Sequence, residues 1–161
     1  PWVVWVLNRG VLLDEAAQAE LVRSPVAALL SYSDQLLQVT PELRGNLIEP
    51  MREFLHASET AGLQLAWITD YTDSVDWETF RTIVIPGATM LRPEAIEKLR
   101  KFVFSGGKLV LKGKCAGIDL ESGRETWPLY RALGWPAPSE DEQQEWSFGK
   151  GRIHTIALLL Q

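Results

Sequence analysis

Five apolar runs of strand length are spaced along the chain, and polar or mixed segments separate them. The runs are Val26–Ser31, Leu63–Ile68, Thr82–Ile85, Lys108–Leu111 and Arg152–Leu159. Glycine or proline residues border most of them, and this punctuation predicts five β-strands. Because the runs are largely continuous rather than alternating, they are typical of strands buried on both faces of a sheet.

Helical periodicity occupies two of the gaps between these runs. Apolar residues recur at steps of three and four over about residues 45–61, and a second stripe begins after Pro93 and ends at Gly106-Gly107. The apolar positions of the second stripe are Ile96, Leu99, Phe102 and Val103. Strands separated by helices of this length are joined by right-handed crossovers in a parallel sheet. The sequence therefore predicts an α/β three-layer sandwich with a central, mostly parallel sheet.

The chain has 161 residues and 46% apolar content, which is enough for one sizeable core. We expect one α/β domain over residues 24–161 and an N-terminal extension over residues 1–23. The strand-like Trp2–Leu7 and the helix-like Leu12–Val22 make that extension an edge element or a linker from a preceding domain. The chain starts at Pro1, and we expect it to be part of a longer protein.

The charge balance argues against two classes of partner. There are 16 basic and 21 acidic residues, giving a net charge of −5, whereas nucleic-acid binding needs a basic face. No apolar run approaches the ~18–20 residues of a membrane span. We therefore expect neither nucleic acid nor membrane as a partner. The single cysteine excludes an internal disulfide and leaves the compartment open, with the cytoplasm slightly favoured.

The direction of a parallel sheet predicts where a ligand would bind. In open α/β sheets, ligands bind at the carboxyl ends of the strands. The candidate ligand-binding residues at those ends are Ser31, Ser33, Asp34, Gly87, Thr89, Gly113 and Gly117. We expect no cofactor. The acidic stretch Asp70–Glu78 lacks the central glycine and closing glutamate of a calcium loop, so we expect no metal either.

The only cysteine, Cys115, lies in the segment KGKCAG at the end of the fourth predicted strand. A turn there would expose its sulfur at a helix N-terminus, where thiol pKa values fall. A cysteine nucleophile also needs a base within hydrogen-bond reach. We expect His56 late in a helix that runs to the opposite end of the sheet, and His154 at the start of the last strand. Neither is placed to activate Cys115.

The run from Arg81 to Gly117, RTIVIPGATMLRPEAIEKLRKFVFSGGKLVLKGKCAG, resembles the core of class I glutamine amidotransferase-like domains. These have a flavodoxin-like fold with a Gly-x-Cys-x-Gly elbow. More closely, the chain is similar to the amidotransferase-like trimerisation domain of family 42 β-galactosidases and related glycoside hydrolases. The segments SPVAALLSYSD and FGKGRIHTIAL are similar to that domain's opening strand and closing hairpin. The resemblance covers residues 24–161.

The chain departs from active amidotransferases at the catalytic pair. These enzymes carry a His-x-Glu pair near the last strand, whereas here His154 is followed by Thr155 and Ile156. Cys115 thus keeps the elbow position without its base, and a triad reduced to its nucleophile loses most of its activity. The resemblance implies a non-catalytic domain that holds protomers together as a homo-oligomer, a trimer by resemblance. It also implies an adjacent catalytic barrel that carries the glycosidase carboxylates.

Two alternatives stay open at the level of sequence. One is a cysteine-dependent amidohydrolase or amidotransferase with Cys115 as nucleophile. The other is a module that binds a small polar ligand or a sugar at the strand ends. The seven tryptophans fit core packing, interface anchoring or sugar contact, and so do not decide between them.

Overall fold

The computed structural model describes residues 25–37, 52–112, 115–135 and 143–156. Its strands are β1 (Val26–Leu30), β2 (Ala66–Thr69), β3 (Thr82–Ile85), β4 (Lys108–Lys112), β5 (Glu145–Phe148) and β6 (Gly151–Ile156). Its helices are α1 (Tyr32–Leu37), α2 (residues 52–60), α3 (Pro93–Ser105) and α4 (Pro128–Ala132), with a 3₁₀ turn at Trp77–Thr79. The N-terminal extension and the first part of the helix predicted over residues 45–61 lie outside the described residues.

The six strands form one sheet in the order β2-β1-β3-β4-β6-β5. Every neighbouring pair is parallel except β5 and β6, which form an antiparallel hairpin at one edge. With β6 as the fifth parallel strand, this is the flavodoxin-like order, and the strand order reverses between β1 and β3. The predicted α/β sandwich with a mostly parallel sheet is confirmed.

The core lies between the sheet and α3. The predicted stripe of α3 is confirmed, because its four apolar positions are all buried. They belong to the same cluster as one face of the sheet, where Ile83, Leu109 and Ile153 lie side by side in register. On the other face, β4 and β6 alternate buried residues with exposed or half-buried ones. The expectation of burial on both faces is therefore confirmed for β1, whose consecutive residues Ala27, Ala28 and Leu29 are all fully buried, but it is wrong for β4 and β6.

Several element boundaries differ from the predicted ones. The second strand begins at Ala66 rather than Leu63, and the last begins at Gly151. The short helices α1 and α4, six and five residues long, were not predicted, because helical periodicity needs longer windows. Strand β5 was not among the five predicted strands, although the similarity of FGKGRIHTIAL to a closing hairpin implied a partner strand before β6. The residues of β5 are mostly exposed, which is typical of a sheet edge, whereas the five strands were predicted from continuous apolar runs.

The β5–β6 hairpin packs tightly on the end of α3. Backbone hydrogen bonds join Lys150 N to Phe104 O at 3.0 Å and Arg152 N to Gly107 O at 3.2 Å. Between them, a Cβ added at Gly151 would lie 2.1 Å from Val103 O and 2.4 Å from Gly107 O. These are backbone atoms, so they cannot rotate away. Glycine at position 151 is therefore a packing requirement of the contact between hairpin and helix.

Gly151→Ala should destabilise the protein by about 2 kcal/mol or more, because the added methyl group must push two backbone segments apart. Gly123→Ala is the matched control. Gly123 has φ +66° and nothing within 4 Å of its added Cβ, so that variant should lose only the ~1 kcal/mol of left-handed strain. Urea denaturation of both variants gives the two free energies of unfolding. Equal losses would contradict the packing argument.

Candidate functional site

The first part of the candidate site is the turn from β1 into α1. Ser31 caps the helix, since its Oγ accepts a hydrogen bond from Asp34 N at 3.0 Å. The same hydroxyl donates to Met90 O at 2.7 Å. The spacing Ser-x-x-Asp resembles a capping box, in which the acidic side chain would turn back to the helix start. Here the Asp34 side chain turns away from it, towards the loop after β3.

Asp34 links the loop after β3 to α1 by hydrogen bonds. Its two carboxylate oxygens accept hydrogen bonds from Thr89 N at 2.6 Å and Met90 N at 3.1 Å. The residue is fully buried. The contact crosses the gap between β1 and β3, where the strand order reverses and where α/β folds of this type bind their ligands. The backbone donors at this position, Thr89 N and Met90 N, are therefore already bonded to a side chain of the protein.

A second buried carboxylate completes the arrangement. Asp70 follows β2 and accepts hydrogen bonds from Tyr32 N at 2.7 Å and Ser33 N at 3.4 Å, the first two amides of α1. The Ser33 hydroxyl also donates to it. Asp70 lies at the carboxyl end of a predicted strand, but it is not among the candidate ligand-binding residues named from the sequence. The signal that could have identified Asp70 as part of the site is its position directly after a buried strand. Ser31 and Asp34 have the same position after β1.

Burial dominates the electrostatics of Asp34. Loss of solvation raises the pKa of Asp34 from 3.8 to about 6. The hydrogen bonds from Thr89, Met90 and Ser31 oppose this increase, and the neighbouring charge of Asp70 adds to it. The carboxylate is therefore ionised at neutral pH, but it changes charge in a range where ordinary aspartates no longer do.

The turn does not expose the sulfur of Cys115 as a nucleophile elbow would, and the residue is instead a small buried one at a tight turn. Its side chain is completely buried, and Sγ donates to Lys112 O at 3.3 Å and approaches Ile85 O at 3.7 Å. Burial raises the pKa of the Cys115 thiol to about 12. No helix starts here, because α4 begins only at Pro128. The thiol lacks the helix dipole that was expected to lower its pKa, and it is protonated at neutral pH.

The turn around Cys115 is built for packing. The residue with positive φ is Ala116, at 49°, and its N–H donates to Ala88 O at 2.7 Å. A Cβ added at Gly117 would lie 3.0 Å from the Trp127 ring, so the glycine allows the indole to approach. Gly117 thus serves the core. Gly113, the preceding glycine of the elbow, lies outside the described residues, and Gly87 is half-buried in the loop after β3.

The two histidines lie away from the thiol. His154 is the fourth of the six residues of β6. Its neighbour Ile153 points into the core, so His154 faces the opposite side of the sheet. There, its Nε2 lies 3.7 Å from Glu145 Oε1. His56 is an exposed residue of α2. The hydrogen bonds of Cys115 within the described structure go to backbone carbonyls, and neither histidine takes part in them.

Two of the aromatic groups in the described residues bear on the candidate site and the hairpin, and the sequence did not predict them. The first is a chain of ring contacts through Trp127, Tyr130, Trp135 and Trp146, in which the last two are stacked at 6.4 Å. It runs from the core to the hairpin, where Trp146 is 38% exposed. The second is a pair of exposed tyrosines beside Asp70. Tyr32 and Tyr71 meet edge to face at 5.6 Å.

The described ranges contain neither a metal-binding cluster nor a helix that could span a membrane. No group of three or more His, Cys, Asp and Glu residues in those ranges could hold a metal ion. None of the helices in the same ranges combines the length and the hydrophobicity needed to cross a bilayer.

No family profile and no curated protein sequence matches the chain. Solved structures do resemble it. A β-galactosidase from Bifidobacterium adolescentis has a TM-score of 0.52 and 24% identity, over 74% of this chain and 58% of that one. A β-galactosidase from Bacillus circulans sp. alkalophilus has a TM-score of 0.62 and 13% identity, over 83% of this chain and 28% of that one. The exo-β-1,4-mannosidase Op5Man5 from Opitutaceae bacterium strain TAV5 has a TM-score of 0.53 and 13% identity, over 81% of this chain and 30% of that one.

These likenesses are of fold, since all three identities are below 25%. The chain spans 58% of the first protein and less than a third of the other two. The same fold therefore occurs as one part of longer proteins that act on different sugars.

Asp34→Asn should remove a pH-dependent component of stability. The folded-state pKa lies above the unfolded one, so the folded protein binds the proton more tightly, and this contribution is lost as the pH rises from about 4 through about 6. The free energy of unfolding of the wild type relative to Asp34→Asn should fall by on the order of 2 kcal/mol over that range. Urea denaturation at pH 4, 5, 6 and 7 measures it.

Asp73→Asn is the control for this titration. The hydrogen bond from Lys98 lowers the pKa of exposed Asp73, so its contribution to stability has the opposite sign and is lost as the pH falls. Parallel pH profiles for wild type and Asp34→Asn would contradict the assignment.

Proposed function

We propose that this chain is a non-catalytic, amidotransferase-like domain of a larger glycoside hydrolase. In that protein it holds protomers together and borders the active site of a neighbouring catalytic barrel. The observation that carries this proposal is that side chains of the protein already accept the backbone hydrogen bonds at the carboxyl edge of the sheet. At the position where a ligand would bind, Asp34 and Asp70 already accept the backbone hydrogen bonds, and Cys115 is buried.

The fold supports the class of parent protein. Two β-galactosidases and a mannosidase contain a similar fold as part of a longer chain. The resemblance of residues 24–161 to the trimerisation domain of family 42 β-galactosidases points to the same kind of protein. Because the similar proteins act on different sugars, the substrate of the parent enzyme is left unassigned.

The state of Cys115 argues against a cysteine-dependent enzyme. A nucleophilic cysteine must be accessible, ionised and close to a base. Cys115 is buried, its pKa is raised to about 12, and it donates to backbone carbonyls. The chemistry of the amidotransferase triad is therefore not supported at this turn, although the turn keeps its position in the fold.

Iodoacetamide should not alkylate Cys115 in the folded protein between pH 6 and 9. The reaction should begin only when the protein unfolds, because the thiol is buried and protonated. Intact mass spectrometry across a urea series follows alkylation, and circular dichroism of the same samples follows unfolding. Rapid modification near pH 7 would favour the cysteine-dependent enzyme, and a glutaminase assay on wild type and Cys115→Ala would then show whether the thiol is catalytic.

The assembly role predicts self-association without catalysis. Light scattering of the purified chain over a concentration series should give a multiple of the single-chain mass, and a trimer is the multiple that the resemblance implies. Hydrolysis of nitrophenyl β-galactosides should be absent, because the carboxylate pair that glycosidases need would lie in another domain. A strictly monomeric chain at all concentrations would contradict the assembly role. Glycosidase activity of the chain itself would contradict the non-catalytic one.

A further inference from the structure

We propose that the Thr89–Met90 turn is a binding site for small carboxylates, which the protein occupies with the side chain of its own Asp34. The proposal concerns the chemistry of the turn itself and does not depend on the proposed function. Asp34 is in this sense a built-in ligand, and the site becomes available to an external carboxylate when that side chain is removed.

The geometry is that of a bound anion. Two successive backbone amides, Thr89 N and Met90 N, point at one carboxylate and reach different oxygens of it, Oδ2 at 2.6 Å and Oδ1 at 3.1 Å. Consecutive N–H groups that converge in this way form a concave anion site. No lysine or arginine of the described part of the chain forms an ion pair with Asp34. The turn and the Ser31 cap therefore supply the stabilisation of the charge.

The turn is also held by contacts that do not involve Asp34. Its carbonyls at Ala88 and Thr89 accept hydrogen bonds from Ala116 N at 2.7 Å and Ile118 N at 3.0 Å. Met90 additionally pairs with Ile118 in a short parallel bridge. These bonds tie the turn to the segment after β4. We therefore expect the two amides to keep their orientation when the carboxylate is removed.

The surroundings restrict the class of ligand. Asp70, at the end of β2, accepts a hydrogen bond from Ser33, the neighbour of Asp34, and the charge of Asp34 also acts on the thiol of Cys115, at the end of β4. Asp70 is acidic and the thiol is protonated, so no positive charge compensates a second negative charge on the ligand. The site is also buried. It should accept a small, planar monoanion such as formate or acetate, and it should disfavour phosphate and sulfate.

Asp34→Ala tests this site by chemical rescue. The variant leaves the two amides without an acceptor and creates space for a small ion. We expect sodium formate, titrated against sodium chloride at constant ionic strength, to raise the melting temperature of Asp34→Ala in a saturable manner, by at least three times the shift seen in the wild type. Acetate should act similarly, whereas phosphate should give no more than the wild-type shift.

Asp34→Leu is the matched control, because leucine fills the same space without accepting a hydrogen bond. Formate should not stabilise it beyond the wild-type shift. Equal formate shifts in all three proteins, or a shift that chloride reproduces, would overturn the proposal.

The wild type gives a second test should Asp34→Ala fail to fold. In an NMR titration from pH 4 to 8, the amide protons of Thr89 and Met90 should shift together with the carboxyl carbon of Asp34, following one common midpoint. Ile118, whose amide is bonded to the same turn but not to the carboxylate, serves as the internal reference. If the amides of Thr89 and Met90 move no more than that of Ile118, the carboxylate is not their ligand and the proposal is wrong.

Discussion

The structure depends on how the carboxyl edge of its sheet satisfies backbone amides. Where the strand order reverses, the chain leaves β1 and β3 in different directions, and the turns there present N–H groups that no neighbouring strand can pair. Such groups are costly when buried. Many α/β proteins give them to a ligand. Here Asp34 and Asp70 accept them, so the same two side chains close the crevice and join the elements around it.

Much of the fold could be predicted because long elements leave periodic patterns. α3 was predicted from its apolar stripe and from the glycine pair that follows it. The apolar residues predicted for this stripe are all buried. Short elements carry no such pattern. α1 is held by the Ser31 cap and the Asp70 carboxylate rather than by an apolar face of its own, and β5 is a four-residue edge strand.

The candidate site was predictable in location but not in chemistry. Strand ends brought Ser31, Ser33, Asp34 and Thr89 together, as a parallel sheet requires. Which of them would bind a ligand and which would bind one another depends on distances of a few tenths of an ångström, and the sequence does not contain these. The burial of Cys115 was hidden for another reason. It depends on residues 115–127 following an irregular path where a helix was expected, which places Trp127 against the turn.

The hairpin at the sheet edge also has a consequence for the order of folding. β5 and β6 are joined by a tight two-residue turn and can pair within microseconds, whereas β6 must find β4 across an intervening segment of residues 113–150. Pairing within the hairpin thus closes a much shorter loop than the pairing of β6 with β4 does. The longer-range pairing is accompanied by the contact of Trp146 with Trp135 and by the packing of Gly151 against α3. The edge of the sheet is then the place where the kinetic barrier to the native state is expected to lie.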